Sequence, residues 1–431
     1  MKRLSFPRKW EFSINSGSDV ELTPVAGNGI LDRRLFLRRG LIFATVIAGG
    51  ASVAETPPWM RQPGKPFSPY GQPSLHEKDV TRRIGANKTV PGNGVSWTPL
   101  EDLGGMLTPS GLHFERHHSG VPEIDPEKHQ LLVHGEVKQP LTFTVRDLAR
   151  YPMRSHLIFL ECGGNSNAGW HEQPIQKPVG SVHGLVSCGE WTGVPLKILL
   201  KEAGVGSKAK WIVAEGADAF AMNVSLPLSK AMDDCIVAIY QNGEKLRPEH
   251  GYPLRLIVPG WEGVVNVKWL RRVQVTDQPT MARNETAKYT ELLPSGKARQ
   301  FTFVMEAKSL ITSPTQGQLL PQPGIYEIRG LAWSGRGRIR KVEASADGGK
   351  TWAEAELQKP VLPRCFTRFR SAWKWNGKPA VLKSRATDET GYVQPERRTV
   401  VAERGRHGHF HYNAIVAWEV DEDGAVNHVY A

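Results

Sequence analysis

The stretch FLECGGNSNAGW, residues Phe159 to Trp170, sets a single cysteine at the end of an apolar run and follows it with two glycines and an asparagine. The approach Leu157-Ile158-Phe159-Leu160 reads as a buried strand. Gly163, Gly164 and Asn165 tolerate positive φ, so a sharp turn is expected just beyond the sulfur. Cys162 then stands at a strand-to-loop junction, a position from which side chains reach into sites. Two readings stay open on these residues alone: a ligating or reactive thiol, or a small buried hydrophobe, which is what most free cysteines are.

Outward from this stretch, three further clusters exceed what a fold needs. Arg116-His117-His118 follows Leu112-His113-Phe114 and precedes Gly120-Val121-Pro122, placing imidazoles and a guanidinium beside a turn. His250-Gly251-Tyr252-Pro253-Leu254-Arg255 leads into an apolar strand, and Val267-Lys268-Trp269-Leu270 presents a cation before another. Lysine and arginine clamp phosphate, arginine bidentately. For each cluster alone, surface charge or a satisfied core histidine is the better reading. Together with Cys162 they could hold a phosphorylated cofactor while the thiolate binds a metal.

The chain around these clusters divides by composition. Over 106–305, β-like runs at Gln130 to Val133, Trp211 to Ala214 and Leu254 to Val258 alternate with helical stretches at Val145 to Arg150 and Leu196 to Ala203, which predicts a mixed α+β domain. Over 306–431 helix signals fade. Ile325 to Gly330, Arg338 to Ala346 and Ile415 to Val420 read as strands, with Asp347-Gly348-Gly349 at a tight hairpin, so a β-sandwich is expected. Residues 55–105 are rich in proline and glycine and read as an extended arm, ordered only where it packs on something.

At 431 residues the chain has room for two domains. Its formal charge is +12; the first 54 residues hold eight Lys/Arg against four Asp/Glu, leaving +8 for the rest, a basic surface that does not choose between partners. Arg33-Arg34, the short apolar run Leu41 to Gly50 and Ala51-Ser52-Val53-Ala54 make residues 1–54 a twin-arginine signal peptide, too short to span a bilayer. That leader predicts a periplasmic protein folded around a cofactor before export, with no membrane span after processing. Cys162, Cys188, Cys235 and Cys365 form no C-x-x-C or C-x-x-C-H, which excludes covalent c-type haem and a zinc ribbon. One disulfide among the last three stays open beside buried free thiols.

From about Gly111 to Tyr430 the sequence resembles the sulfite oxidase family of molybdopterin enzymes. FERHHSGVP, LECGGN, HGYPLRLIVPGWEG with VKWL, and GLAWSGRGRIRKVEASADGGKTW carry the resemblance. It implies an α+β fold: a sulfite-oxidase-type molybdopterin domain over 106–305, then an immunoglobulin-like β-sandwich dimerisation domain over 306–431, with the chain pairing as a homodimer. Cys162 is implied as the metal ligand, with Gly163, Gly164 and Asn165 completing its motif. His118, His250, Arg255 and Lys268 are implied on the pterin, with His117 where asparagine is usual. Arg116 is implied at both cofactor and substrate, and Tyr289 in KYTELLP as its catalytic partner. The implied cofactor is molybdenum-molybdopterin and the reaction is oxygen-atom transfer to a sulfur lone pair. This chain carries no haem motif, so the electron acceptor is expected to be a separate c-type cytochrome subunit; no nucleic-acid partner is expected.

Two departures bear on the substrate. Ser166 and Asn167 stand where the family usually has paired arginines, and Trp418 to Gly424 brings Glu419, Asp421, Glu422 and Asp423 where another substrate-pocket arginine is usual. If Asn167 and Asp423 line the pocket, a free dianion is disfavoured. Sulfane sulfur on a carrier-protein cysteine is then the expected substrate, as in the sulfane dehydrogenases of thiosulfate oxidation, which are often called sulfite dehydrogenases. The alternatives are a periplasmic sulfite:cytochrome c oxidoreductase and, from another class, a non-catalytic secreted binding module.

Overall fold

The computed structural model describes Gly29, residues 56–406 and residues 408–431. The leader expected over 1–54, with Arg33-Arg34, otherwise lies outside the described residues.

The strand before Cys162 runs over Arg154–Glu161 and pairs antiparallel with Val186–Pro195 along its whole length. Its end is apolar at successive positions because both faces are covered. Ile158 and Leu160 pack with Trp191, Leu246 and Ile257, whereas Phe159 enters the core of the second domain beside Trp333. The same sheet continues through Ile236–Gln241 to Glu244–Lys245, with Arg255–Ile257 also paired to Ile236–Gln241. One sheet thus carries both Cys162 and Arg255.

A second five-stranded sheet has the order Leu141–Thr144, Gln130–Gly135, Leu270–Thr276, Trp211–Gly216, Asn223–Pro227. Leu196–Ala203 helps close its core: Leu196, Leu199, Leu200 and Ala203 recur at helical spacing and are buried. Gly204, at φ 71°, ends this helix by donating its N–H to the Leu200 carbonyl. The helix predicted over Val145 to Arg150 is shorter, Val145–Leu148, held by a capping box between Thr144 and Asp147.

The proline- and glycine-rich segment divides in two. Residues 56–82 are extended chain with short 3-10 turns, while Arg83–Ala86 and Gly94–Trp97 form a three-stranded sheet with Glu115–His117. The latter half therefore belongs to the wall that presents Arg116.

The C-terminal part is a sandwich of a four-stranded and a five-stranded sheet. Thr367–Trp375 shows the period of two that such a wall requires, burying Thr367, Phe369, Ser371, Trp373 and Trp375. Among the described residues no helix is long and apolar enough to cross a membrane. All four cysteines are free thiols, and Cys188 and Cys365 approach to 3.3 Å across the domain junction.

A buried ion pair ties the two domains at the site's edge. Lys308, on the first sandwich strand, lies 3.2 Å from Glu161 and donates to the Ser166 hydroxyl and to the Tyr412 carbonyl at 2.9 Å. Glu161 also accepts from Trp333 Nε1 at 2.7 Å and from Asn165 Nδ2 at 2.9 Å. Both side chains are at most 2 % exposed, so breaking the pair would strand a carboxylate next to Cys162. Lys308→Met should therefore cost about 3–5 kcal/mol of folding stability. Denaturant unfolding checks this, and a loss below about 1 kcal/mol would contradict the arrangement.

Candidate active site

Arg116, His118, Cys162, His250, Arg255, Lys268 and Tyr289 all line one cavity of about 680 Å³. The structure thus brings together the residues expected to hold the cofactor and Tyr289, though not Asn167 or Asp423. Cys162 stands at the strand end as expected, its N–H bonded to the Leu185 carbonyl. The turn beyond it differs from expectation. The positive φ, 65°, falls on Ser166 rather than on Gly163, Gly164 or Asn165. The glycine at 163 serves space instead, since a Cβ there would sit 1.8 Å from Glu262 Oε1. Asn165 fixes the loop by accepting from Leu185 N at 3.1 Å.

Arg116 Nη2 lies 3.2 Å from His118 Nδ1, and His118 Nε2 lies 3.4 Å from the Tyr289 hydroxyl. Because guanidinium only donates, Nδ1 is the acceptor and the His118 proton is assigned to Nε2, facing the phenol. Phe220 stacks on His118, and Phe410 packs tilted against Tyr289. Tyr289 itself follows the π-helix Asn284–Lys288, an irregularity frequent at functional sites. His117 turns the other way: Glu115 lies 2.6 Å from its Nε2, and its Nδ1 accepts from Lys268 Nζ at 2.7 Å.

The site carries more positive charge than the protein neutralises. Arg255 donates only to the Asn266 and His250 carbonyls, and Lys268 to His117 and the Arg116 and Glu249 carbonyls. Among the described residues neither cation, nor Arg116, forms an ion pair. Burial pushes Arg255 down to about 9, and burial with the neighbouring Arg255 pushes Lys268 well below the usual lysine range. His118 falls to about 3 through burial and then Arg116. His250 is likewise depressed, by burial and then His113, and both its ring nitrogens lack partners. Burial raises the Cys162 thiol to about 11. Burial leads each of these shifts; neighbouring like charges add to those of Lys268, His118 and His250, whereas Arg116 opposes the rise at Cys162.

Residues 118–284 match the oxidoreductase molybdopterin binding domain and residues 299–418 the Mo-co oxidoreductase dimerisation domain. The crystal structure of the sulfane dehydrogenase SoxCD from Paracoccus pantotrophus is similar at 44% identity, covering 88% of this chain and 98% of that chain with a TM-score of 0.85. The chain belongs to the sulfite oxidase family of molybdopterin enzymes. Other relatives are mitochondrial sulfite oxidase of Mus musculus, 32% identical over 68% of this chain and 58% of that protein, and the NADH nitrate reductase of Solanum lycopersicum, 34% identical over 68% of this chain and 36% of that protein. The chain thus spans about a third of the nitrate reductase's length.

A molybdopterin fits the donor set. Its phosphate and dithiolene would meet the unpaired Arg255, Lys268 and Arg116 charges and the orphaned His250 nitrogens, while the Cys162 sulfur offers one metal ligand. Among the described residues no group of three or more His, Cys, Asp or Glu side chains could hold a metal.

Two sequence expectations need correction. Asp423 is exposed in the hairpin turn after Ala417–Val420, where its carboxylate accepts from Ala425 N at 3.1 Å, and Trp418 is a core residue of the sandwich. Asn167 is exposed in the short helix Asn167–Trp170 and does not line the cavity. The C-terminal segment that does approach the site is His409 to Tyr412: His411 N donates to the Gly163 carbonyl at 2.8 Å. The sequence reading missed this segment together with Phe220 and Glu262. A signal existed in the His409-Phe410-His411 run and in the acid of Gly260-Trp261-Glu262-Gly263, neither of which a sandwich strand or tight turn requires.

Proposed function

We propose that this chain is the molybdenum subunit of a periplasmic sulfane dehydrogenase. It would oxidise sulfane sulfur carried on a cysteine of a partner protein and pass electrons singly to a c-type cytochrome subunit. The likeness to SoxCD over 98% of that chain carries the reading. The absence of Asn167 and Asp423 from the cavity removes one argument used at the sequence level, yet no arginine replaces them there: Arg116 and Arg255 are the arginines lining it.

When bound, the molybdenum supplies two-electron oxidation of sulfur by oxygen-atom transfer. The protein's part is to bind, orient and exclude water. Arg116 fixes His118 by its hydrogen bond, and neutral His118 orients the Tyr289 hydroxyl. Burial first, then Cys162, raises the Tyr289 phenol, so it stays protonated and serves as a hydrogen-bond donor to a substrate oxygen. Phe220 packs on His118 and Phe410 on Tyr289, which holds this donor in place.

Steady-state kinetics of the molybdenum-loaded protein with its cytochrome tests the proposal, comparing a carrier-bound persulfide with free sulfite. A higher kcat/KM for the carrier is expected. A preference for sulfite would replace the reading by a sulfite:cytochrome c oxidoreductase. For the export route, changing Arg33 and Arg34 to lysines should trap folded precursor in the cytoplasm, because twin-arginine recognition distinguishes side chains of equal charge. Cell fractionation checks this, and normal periplasmic yield would remove the proposed route.

A further inference from the structure

Glu262 is a buried carboxylate beside the Cys162 loop with no Lys or Arg partner among the described residues. It follows the turn at Gly260, is 5 % exposed, and its Oε1 has no hydrogen-bond partner. Oε2 lies 3.5 Å from His411 Nε2, its only ion-pair partner among the described residues. The carboxylate fills the space that a side chain at Gly163, directly after Cys162, would take. It also lines a second cavity of about 320 Å³ that shares Tyr289 and Val264 with the first, and the next residue, Gly263, lines the first. Its charge is felt at both Cys162 and Tyr289, adding to the effect of burial in raising each. A buried carboxylate acts across a low-dielectric site far more strongly than one in water.

We infer that Glu262 is a specificity-determining residue, whose carboxylate disfavours free oxyanions such as sulfite and sulfate at the reacting end of the cavity while admitting the less charged outer sulfur of a cysteine-bound chain. The inference rests on the sulfur-oxidising reading above. It works by exclusion: a like charge costs a free dianion more than a substrate presented on a protein arm. Because Oε1 bonds to nothing, removing the charge strands no partner there.

The test is calorimetric titration of the molybdenum-loaded protein with sulfate, for wild type, Glu262→Gln and Glu262→Met. Both variants should bind sulfate at least about tenfold more tightly than wild type, since one full charge is removed from near a dianion. Sulfate affinity equal to wild type in a variant with full molybdenum content overturns the inference. If only one variant retains molybdenum, that variant decides. The titration needs no turnover, so a wild-type preference for sulfite would sink the functional reading without touching this result.

Discussion

Replacing Cys162 with serine should reduce turnover to a few per cent of wild type or less, with the fold intact. The thiol ends a fully paired strand, and its position is fixed by the Leu185 and Asn165 backbone bonds rather than by the sulfur itself. Serine fits there, so stability should barely change. Chemistry separates the two side chains: a thiolate bound to a metal stays deprotonated, whereas a hydroxyl is a poor and largely protonated ligand. In the protein alone burial holds the Cys162 thiol up to about 11, so metal binding must release its proton. Cys188→Ser, by contrast, should leave turnover near wild type, since Cys188 faces the core and Cys365 rather than the cavity. Initial rates at equal protein concentration, with circular dichroism as the control for folding, measure both. Activity well above a few per cent in Cys162→Ser would contradict the assignment.

The second large effect belongs to Arg255. Its guanidinium is 6 % exposed, lies over the Trp191 ring at 5.0 Å and bonds only to neutral carbonyls. Without an anion such a charge is a burden on the fold; with one it is a strong binding group. Arg255→Met should therefore act in opposite directions. Cofactor retention should fall roughly ten- to hundredfold, the equivalent of one charge-assisted hydrogen bond of about 1.5–3 kcal/mol. The cofactor-free protein should be no less stable than wild type. Pterin release on dialysis and thermal unfolding of the empty protein read the two arms. A variant that keeps its cofactor, or that loses stability equally in both states, would show that Arg255 serves the fold alone.

The parts of the site that could be read from sequence are those written locally. Arg116-His117-His118, the Cys162 loop, His250 to Arg255 and Lys268 each sit in a short run that is ambiguous alone but points to a charged, metal-bearing ligand when the runs are taken together, and all converge on one cavity. The α+β division and the sandwich were legible for a similar reason, since alternation at Thr367–Trp375 and helical spacing at Leu196–Ala203 are properties of single elements. What failed depends on how distant segments meet. The acids after Trp418 suggested a pocket wall, but they build a hairpin turn in the sandwich, where Asn427 Nδ2 donates to Asp421 at 2.7 Å. The segment that closes on Gly163 lies a few residues earlier, at His411, and only the packing of the sandwich against the first domain reveals it. The glycine-rich turn differs for a subtler reason: Gly163 is expected from sequence to allow a positive φ, whereas its value is the room it leaves for Glu262.

The central claim, that the Cys162 sulfur binds a molybdenum held in this cavity, is open to one direct measurement. X-ray absorption at the molybdenum edge on protein matured with its leader should show one sulfur neighbour fewer in Cys162→Ser than in wild type, with molybdenum still present in both. An unchanged sulfur shell in the serine variant, or wild-type protein that contains no molybdenum, would contradict the account.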